Sequence, residues 1–271
     1  MVTSYSAENC KEFYNFAYKF LLEILQIEIS EKELNEKYFN PKLHNFKTIE
    51  NLFERMIVSA QNYQRMPNVI NFEKRKEQIK ILLYEYDLSE ISKLSPDKLY
   101  NKFKKEFNIT RSAKNIKQDS WYKWSNSIID SAKFFSNFKD TNDFKNFIDV
   151  FLFNIETKTA LPLLISTKIS GLGFPLACDF LKEIGYTEYP KPDIHIKNII
   201  HTLLKLDMET KISNIYAYET VINIAEKCEI TPYKLDKILW LICSGNLYEH
   251  KIKLKSHKKE FLRVIKSFDF S

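Results

Sequence analysis

Gly171 and Gly173 are two of only four glycines in the chain, and they lie one residue apart between two apolar segments of helical periodicity. Glycine accepts positive φ angles and has no side chain, so a Gly-x-Gly turn that opens a helix can bring bare backbone N–H groups against a phosphate. The helix dipole and the unpaired amides of the first helical turn favour the same anion. The sequence therefore predicts a helical hairpin whose turn suits a phosphate group, although such a turn can also be a plain connection.

Asp193 follows the densest proline cluster of the chain, Pro190-Lys191-Pro192, and precedes an apolar run of helical periodicity. An aspartate in this place is an ordinary helix N-cap, whose side chain accepts hydrogen bonds from the first backbone amides. The dipole of the capped helix also keeps the carboxylate ionised, so a cap can act on a substrate as well. Capping and catalysis are therefore compatible interpretations of Asp193.

The order of these parts, from the hairpin (161–184) to the Pro-rich loop and aspartate (189–193), resembles the helix-hairpin-helix DNA glycosylase superfamily. That superfamily includes endonuclease III, the adenine glycosylases, the 8-oxoguanine glycosylases and the alkylbase glycosylases. The resemblance implies an all-α fold of two helical subdomains with a cleft between them, in which the N-terminal and C-terminal parts of the chain pack together. We expect an N-terminal helical extension over 1–45 and a glycosylase domain over 46–271.

The resemblance also implies that Asp193 is the catalytic residue of a DNA glycosylase that acts in base excision repair. Hydrolysis of the N-glycosidic bond of a damaged or modified base gives the sugar oxocarbenium character, and an ionised carboxylate can stabilise that charge and orient or deprotonate a water. The target base must first leave the stack of the duplex. His195, two residues further on, is either a first-turn helix residue or a general acid.

Contacts with double-stranded DNA are expected first at the hairpin. The amides of its turn would hold the DNA backbone at Gly171, Leu172, Gly173 and Phe174. Lys197, with Lys191, would add positive charge near Asp193. Such contacts hold the backbone and carry no sequence information.

Gln61 ends a predicted helix over 48–61. The run Ser59-Ala60-Gln61 resembles the segment of endonuclease III and its relatives whose glutamine enters the duplex at the vacated base. An exposed glutamine at a helix end is the other interpretation, and both stay open. The tail 250–271, with seven Lys/Arg against two acids, is either a solvated helix face or a contact with the DNA backbone.

Pro175 occupies the position where bifunctional members of the superfamily have a lysine that forms a Schiff base with the sugar. Since proline cannot be a nucleophile, the resemblance implies a monofunctional glycosylase without lyase activity, in which water attacks. Lys168 and Lys182 are the nearest candidates for a displaced lyase lysine. A bifunctional 8-oxoguanine-type glycosylase/lyase therefore stays an alternative.

The four cysteines form no C-x-x-C pair, and only Cys228 and Cys243 follow the aspartate. The four-cysteine loop that holds an iron–sulfur cluster in some relatives is therefore missing, and we expect no cluster and no other cofactor. The histidines show no metal-ligand spacing either, so no metal site is expected.

Two alternatives of another kind remain. A helix-hairpin-helix module could bind DNA without catalysis, and a related scaffold could release a base from a free nucleoside. Replacement of Asp193 separates the first alternative from an enzyme, whereas salt-dependent duplex binding argues against the second.

Helical periodicity extends over nearly the whole chain and supplies the elements that must position these residues. The predicted helices cover 8–28, 48–61, 73–90, 95–107, 112–138 and 143–156, then the hairpin, then 194–206, 216–228 and 234–243, the last closed by Gly245. Trp121 and Trp124 have spacings typical of a helical core, although aromatic side chains can also stack on a base.

The composition agrees with a globular protein that contacts a polyanion. The chain of 271 residues is 44% hydrophobic and carries a net charge of +6. We found no apolar run long enough for a membrane helix and no signal-peptide pattern at the N-terminus. We therefore expect a monomer in the cytoplasm, associated with the nucleoid, with double-stranded DNA as its partner and no membrane contact.

Overall fold

The computed structural model describes residues 5–25, 28–40, 46–64, 66–110, 113–207, 209–268 and 270. In chain order the helices are α1 (Ala7–Leu25), α2 (Glu31–Leu34), α3 (Ile49–Gln61), α4 (Met66–Ile70), α5 (Phe72–Leu82), α6 (Leu88–Ser92), α7 (Pro96–Glu106), α8 (Ser120–Phe135), α9 (Thr141–Asp149), α10 (Ile155–Lys168), α11 (Phe174–Glu183), α12 (Ile194–Leu203), α13 (Asn214–Lys227), α14 (Pro232–Ser244) and α15 (Lys258–Ile265). Two antiparallel strands of two residues each, β1 (Asn246–Leu247) and β2 (Ile252–Lys253), precede α15. The prediction of an all-α protein is therefore confirmed.

The chain divides into two compact units. One unit is His44–Phe180, and the other joins Met1–Leu43 to Leu181–Ser271, so that the division falls within α11. Both ends of the chain thus belong to one unit, whereas the division predicted from the sequence separated 1–45 from the remainder. The five residues before that predicted boundary, 41–45, lie outside the described part of the chain.

Most helices begin at a side-chain cap that is visible in the sequence. The capping residues are Ser30, Thr48, Asp87, Ser95, Asp119, Asp140, Asn154, Asp193, Ser213 and Thr231. In α7 and α14 a proline follows the cap, and its missing N–H is not needed at the first helical position. The starts of these helices therefore follow from local sequence chemistry.

Three predicted helices have different bounds in the structure. The helix predicted over 73–90 is interrupted, because Tyr84, Glu85 and Tyr86 have φ angles of 51°, 55° and 68° and cannot continue α5. The helix predicted over 143–156 is two helices, because α9 ends at Asp149 and Asn154 caps α10. The helix predicted over 112–138 begins later, at Ser120, where Asp119 is its cap.

The core of the unit His44–Phe180 forms around α8, which packs against α3, α6 and α7. Trp121 and Trp124 of α8 are buried, and the indole nitrogen of Trp124 donates to the carbonyl oxygen of Ile57 at 2.8 Å. The tryptophans are therefore core residues, and the interpretation as a base-stacking surface is wrong.

The core of the other unit forms around α14, which packs against α1, α12, α13 and α15. Gly245 ends α14 with a φ of +63°, and a Cβ atom there would lie 2.5 Å from the carbonyl oxygen of Leu254. Glycine is therefore required at the predicted end of this helix. Throughout the described residues, we found no helix with the length and apolar character that crossing a bilayer would require.

Candidate functional site

The hairpin turn lies between α10 and α11 and is shaped by Gly171. Its φ is +78°, and a Cβ atom on it would lie 3.0 Å from the hydroxyl oxygen of Ser127. At Gly173 a Cβ atom would meet nothing closer than Pro175 Cδ, at 3.9 Å. The carbonyl oxygen of Gly173 accepts hydrogen bonds from the amides of Leu176 and Ala177 at 2.9 and 3.1 Å, which starts α11. The chain therefore needs a glycine at 171 for geometry but not at 173.

Within the turn, the amide of Leu172 donates to the carbonyl oxygen of Ile169 at 3.2 Å. Gly171 and Gly173 are exposed, and across the described ranges their N–H groups form no hydrogen bond. Leu172 and Phe174 have side chains that are only 1% and 6% exposed. The side chains of Leu172 and Phe174 therefore anchor the turn, and contact of these four residues with DNA stays a prediction.

Helix α8 supports this turn through hydrogen bonds to the backbone of Ser170. Ser127 donates to the carbonyl oxygen of Ser170 at 2.6 Å, and Asp130 accepts from the amide of Ser170 at 3.0 Å. Both polar groups of Ser170 are thereby fixed immediately before Gly171. The sequence alone does not indicate this support, because Ser127 and Asp130 lie 43 and 40 residues away from Ser170 in the chain.

A cavity of about 670 Å³ opens beside the turn. Its lining includes Tyr63, Lys123, Ser127, Ser166, Gly171 and Gly173. The ammonium nitrogen of Lys123 lies 5.7 Å from the centroid of the Tyr63 ring, and Tyr63 is 39% exposed. Unpaired amides, hydroxyl groups and a cation thus face one concave surface, which suits a phosphate group.

Gln61, the last residue of α3, is only 6% exposed. The interpretation as an exposed residue at a helix end is therefore wrong. Its side-chain oxygen is buried and, within the described part of the chain, has no hydrogen-bond partner. Entry of Gln61 into a duplex stays a prediction, and it would require this side chain to leave its buried position.

Asp179 of α11 fixes the end of α3, where Gln61 lies. Its Oδ2 accepts from the hydroxyl of Ser59 at 3.2 Å and lies 3.7 Å from the guanidinium of Arg55. Because Asp179 is buried, these contacts are shielded from water and hold α3 against the second helix of the hairpin. Nothing in the sequence marks Asp179 as a residue of the site, because Ser59 lies 120 residues away in the chain.

Asp193 caps α12, as predicted. Its Oδ1 accepts from the amides of His195 and Ile196 at 2.7 and 3.1 Å, and its own amide donates to the carbonyl oxygen of Lys191 at 2.8 Å. The residue is half-exposed, and among the residues that the structure describes no ion pair or hydrogen bond involves Oδ2. One carboxylate oxygen is therefore fixed, and the other can accept a proton or stabilise a cation.

His195 lies in the first turn of α12 with its Nδ1 buried and, among the described groups, without a partner. Burial lowers the pKa of His195 below its usual value; the Asp193 carboxylate opposes that shift, and the Lys258 ammonium adds to it. A histidine with a lowered pKa is neutral at pH 7. The structure therefore favours the first-turn interpretation over a general acid.

Two lysines lie at the second turn of α12. Lys197 is half-exposed in its second turn. Lys258, the first residue of α15 in the basic tail, lies 2.7 Å from the side-chain oxygen of Asn198 when that amide is oriented to satisfy both of its neighbours. At least one cation of the tail is thus held at the helix that Asp193 caps.

The two candidates for a lyase lysine have different surroundings. Lys182 is 6% exposed, and its ammonium nitrogen lies 2.7 Å from Oδ2 of Asp236, which is 2% exposed. Burial and this ion pair keep the amine of Lys182 away from a sugar, which disfavours it as the nucleophile. Lys168 is exposed and lines a second cavity of about 460 Å³ together with Phe134 and Phe138.

Metal binding finds no support in the residues described. They contain no group of three or more His, Cys, Asp or Glu side chains that could hold an ion. Burial raises the pKa of the thiols of Cys228 and Cys243, to about 11 and about 12. Both are therefore protonated thiols near pH 7 and poor metal ligands.

The chain is similar in structure to a Methanocaldococcus jannaschii 8-oxoguanine glycosylase/lyase that was solved in complex with 15mer DNA containing 8-oxoguanine. The TM-score is 0.51 at 17% sequence identity, and the match covers 87% of this chain and 98% of that chain. The chain therefore shares the fold of that protein, and the prediction of the fold class is confirmed. No protein-family model matches the sequence, and no curated protein matches it.

Proposed function

We propose that this protein is a DNA glycosylase that hydrolyses the N-glycosidic bond of a damaged or modified base in duplex DNA. The observation that carries the proposal is the state of Asp193 in this fold: Oδ1 is fixed by two amides, while Oδ2 has no hydrogen bond among the residues described. The unpaired amides of Gly171 and Gly173 support a grip on the DNA backbone. The structural neighbour was solved with damaged DNA, which agrees with this partner.

In the proposed reaction the target nucleotide is extruded, and its glycosidic bond breaks with development of positive charge on the sugar. The carboxylate of Asp193 stabilises that charge. A water adds to the anomeric carbon and loses its proton to Oδ2 or to bulk water, the bonding electrons leave with the base, and the base is protonated as it departs.

We propose further that the enzyme is monofunctional and acts as a monomer associated with chromosomal DNA. Pro175 stands where a lyase lysine is expected, and Lys182 is held in a buried ion pair. The second candidate function is a bifunctional glycosylase/lyase, which the activity named for the structural neighbour favours. In that case Lys168, which is exposed, is the candidate amine.

The proposal is tested with labelled duplexes that carry uracil, 8-oxoguanine, an alkylated adenine or a mismatch, analysed before and after alkali. We expect strand cleavage only after alkali for at least one lesion. Asp193→Asn should abolish it while the dissociation constant for the same duplex stays within about twofold, because asparagine still caps the helix. Cleavage without alkali would support the bifunctional enzyme.

Three other outcomes would overturn the proposal. Tight duplex binding by the wild type without release of any base would indicate a DNA-binding module without catalysis. Full activity of Asp193→Asn would show that base release uses another residue. Release of a base from free nucleosides, with no salt-dependent duplex binding, would indicate a nucleoside hydrolase.

A further inference from the structure

Asp236 of α14 joins two segments that the sequence does not connect. Its Oδ2 accepts a hydrogen bond from the ammonium of Lys182 at 2.7 Å and from the backbone amide of Lys191 at 3.2 Å. The carboxylate is only 2% exposed, so both interactions are shielded from water. One buried oxygen therefore holds the end of α11 and the Pro-rich loop together.

The same helix holds the loop at a second point. The amide of Tyr233, in the first turn of α14, donates to the carbonyl oxygen of Thr187 at 3.0 Å. Thr187 and Lys191 lie on either side of Tyr189, which is fully buried. The loop from α11 to Asp193 is thus attached to α14 by two hydrogen bonds with a buried aromatic ring between them.

The position of Lys191 determines that of Asp193. The carbonyl oxygen of Lys191 accepts from the amide of Asp193 at 2.8 Å, while the amide of Lys191 donates to Asp236. A rotation of this part of the loop would break both hydrogen bonds and would turn the carboxylate away from its capping position. Displacements of about 1 Å at a reacting group can cost on the order of 100-fold in rate.

We propose that Asp236 is a positioning residue for base release: by accepting the Lys191 amide it fixes the loop that presents Asp193. This inference rests on the proposed function. Lys182 then has the role of the counter-ion that allows a carboxylate to be buried at this place. The alternative is that Lys182 and Asp236 form a structural ion pair with no effect on Asp193.

Two double variants separate these roles, because a single change would leave one buried charge unpaired. In Lys182→Gln/Asp236→Asn the two amides can bond to each other, and the asparagine oxygen can still accept the Lys191 amide. In Lys182→Met/Asp236→Leu the pair is apolar, and the Lys191 amide loses its acceptor. Thermal melts establish that both variants are folded.

The first measurement is hydrogen exchange of the amides over 187–193, which requires no substrate. We expect exchange about tenfold faster in the Met/Leu variant than in the wild type, and within about threefold in the Gln/Asn variant. Equal exchange in the two folded variants would overturn the inference.

The second measurement is the single-turnover rate of base release from a duplex with 8-oxoguanine, or with whichever lesion of the panel the wild type accepts. We expect a rate at least about tenfold lower for the Met/Leu variant alone, with the dissociation constant for a duplex containing a tetrahydrofuran abasic analogue unchanged within about twofold. If the two double variants release the base at equal rates although their hydrogen exchange differs, Asp236 has only a structural role. If the wild type releases no base, the proposed function and the role in base release fall together, while the exchange data still decide whether Asp236 holds the loop.

Discussion

The carboxylate of Asp193 lies 2.7 Å from the backbone nitrogen of His195, to which its Oδ1 is hydrogen-bonded. The residue proposed to act on DNA therefore also starts α12. The two roles use different atoms, because the cap requires Oδ1 and the chemistry requires the second oxygen. They can consequently be separated by the choice of substitution.

The first prediction concerns the stability of Asp193 variants. We expect Asp193→Ala to lower the free energy of unfolding by about 1 kcal/mol, since the amides of His195 and Ile196 lose their acceptor. Asp193→Asn should stay within about 0.5 kcal/mol of the wild type, because asparagine caps equally well. Urea unfolding measures both values. Equal destabilisation by the two substitutions would contradict a capping role.

The second prediction compares the two hairpin glycines. Gly171→Ala should lower stability by about 1 to 2 kcal/mol, because its φ is +78° and the new methyl would lie 3.0 Å from the Ser127 hydroxyl. Gly173→Ala is the matched control and should change stability by less than about 0.5 kcal/mol, since it is exposed and has no close neighbour. Gly171→Ala should also weaken duplex binding. Equal stability of the two variants would show that the turn tolerates a side chain at either position.

The third prediction concerns pH. The pKa of His195 is lowered in the folded protein, whereas in the unfolded chain it has the usual value of about 6.5. Below about pH 6.5 the unfolded chain therefore binds more protons than the folded protein. The contribution of His195 to stability is therefore complete above that pH and is lost as the pH falls towards the lowered pKa. One proton limits the slope to about 1.4 kcal/mol per pH unit.

His195→Gln should therefore reduce the loss of stability between about pH 6.5 and pH 5. Urea unfolding at several pH values measures the slope, and the charged neighbours Asp193 and Lys258 stay in place. His201→Gln, on the same helix, controls for the loss of an imidazole. If the free energy of unfolding changes with pH in His195→Gln as it does in the wild type, burial does not disfavour the charged imidazole of His195.

The fourth prediction concerns the lyase. Borohydride should trap no covalent complex between the wild type and abasic DNA, since Pro175 has no amine and Lys182 is paired with Asp236. Lys182→Met should affect folding and lower the free energy of unfolding by about 3 to 5 kcal/mol, because it leaves the buried carboxylate of Asp236 unpaired. If a complex is trapped, loss of trapping in Lys168→Ala would identify the amine.

The fifth prediction concerns the cavity beside the hairpin. Lys123→Ala should weaken duplex binding and reduce the slope of log K against log salt by about 1, as expected when one phosphate contact is lost. Lys139→Ala removes an exposed lysine that is not in the cavity lining and is the control. Titrations between 50 and 200 mM salt measure both slopes, and equal slopes for the two variants would place Lys123 outside the interface.

The sequence predicts what depends on neighbouring residues. The immediate context of Asp193 predicts its capping role, and two glycines with their flanking periodicity predict the turn at Gly171. In each case the decisive hydrogen bond or φ angle involves residues within a few positions. The interruption after α5 was missed because Tyr84, Glu85 and Tyr86 are not residues that usually adopt positive φ.

What the sequence did not predict depends on distant partners. In the sequence, Asp179 and Asp236 are ordinary polar positions on amphipathic helices. Asp179 is important because it contacts Ser59, 120 residues away, and Asp236 because it contacts Lys182, 54 residues away. Periodicity indicates which face of a helix is buried but not which helix covers it. A buried aspartate and its partner can therefore be recognised only when the packing is known.

The attachment of the Pro-rich loop to α14 also sets an order of events during synthesis. Thr187 and Lys191 leave the ribosome before the groups of Tyr233 and Asp236 that bind them. Helix α1 likewise packs on α13 and α14, so it cannot complete its packing until these later helices have been synthesised. A polypeptide released early, before Asp236, would carry the complete hairpin but would leave the acid-bearing loop without its anchor.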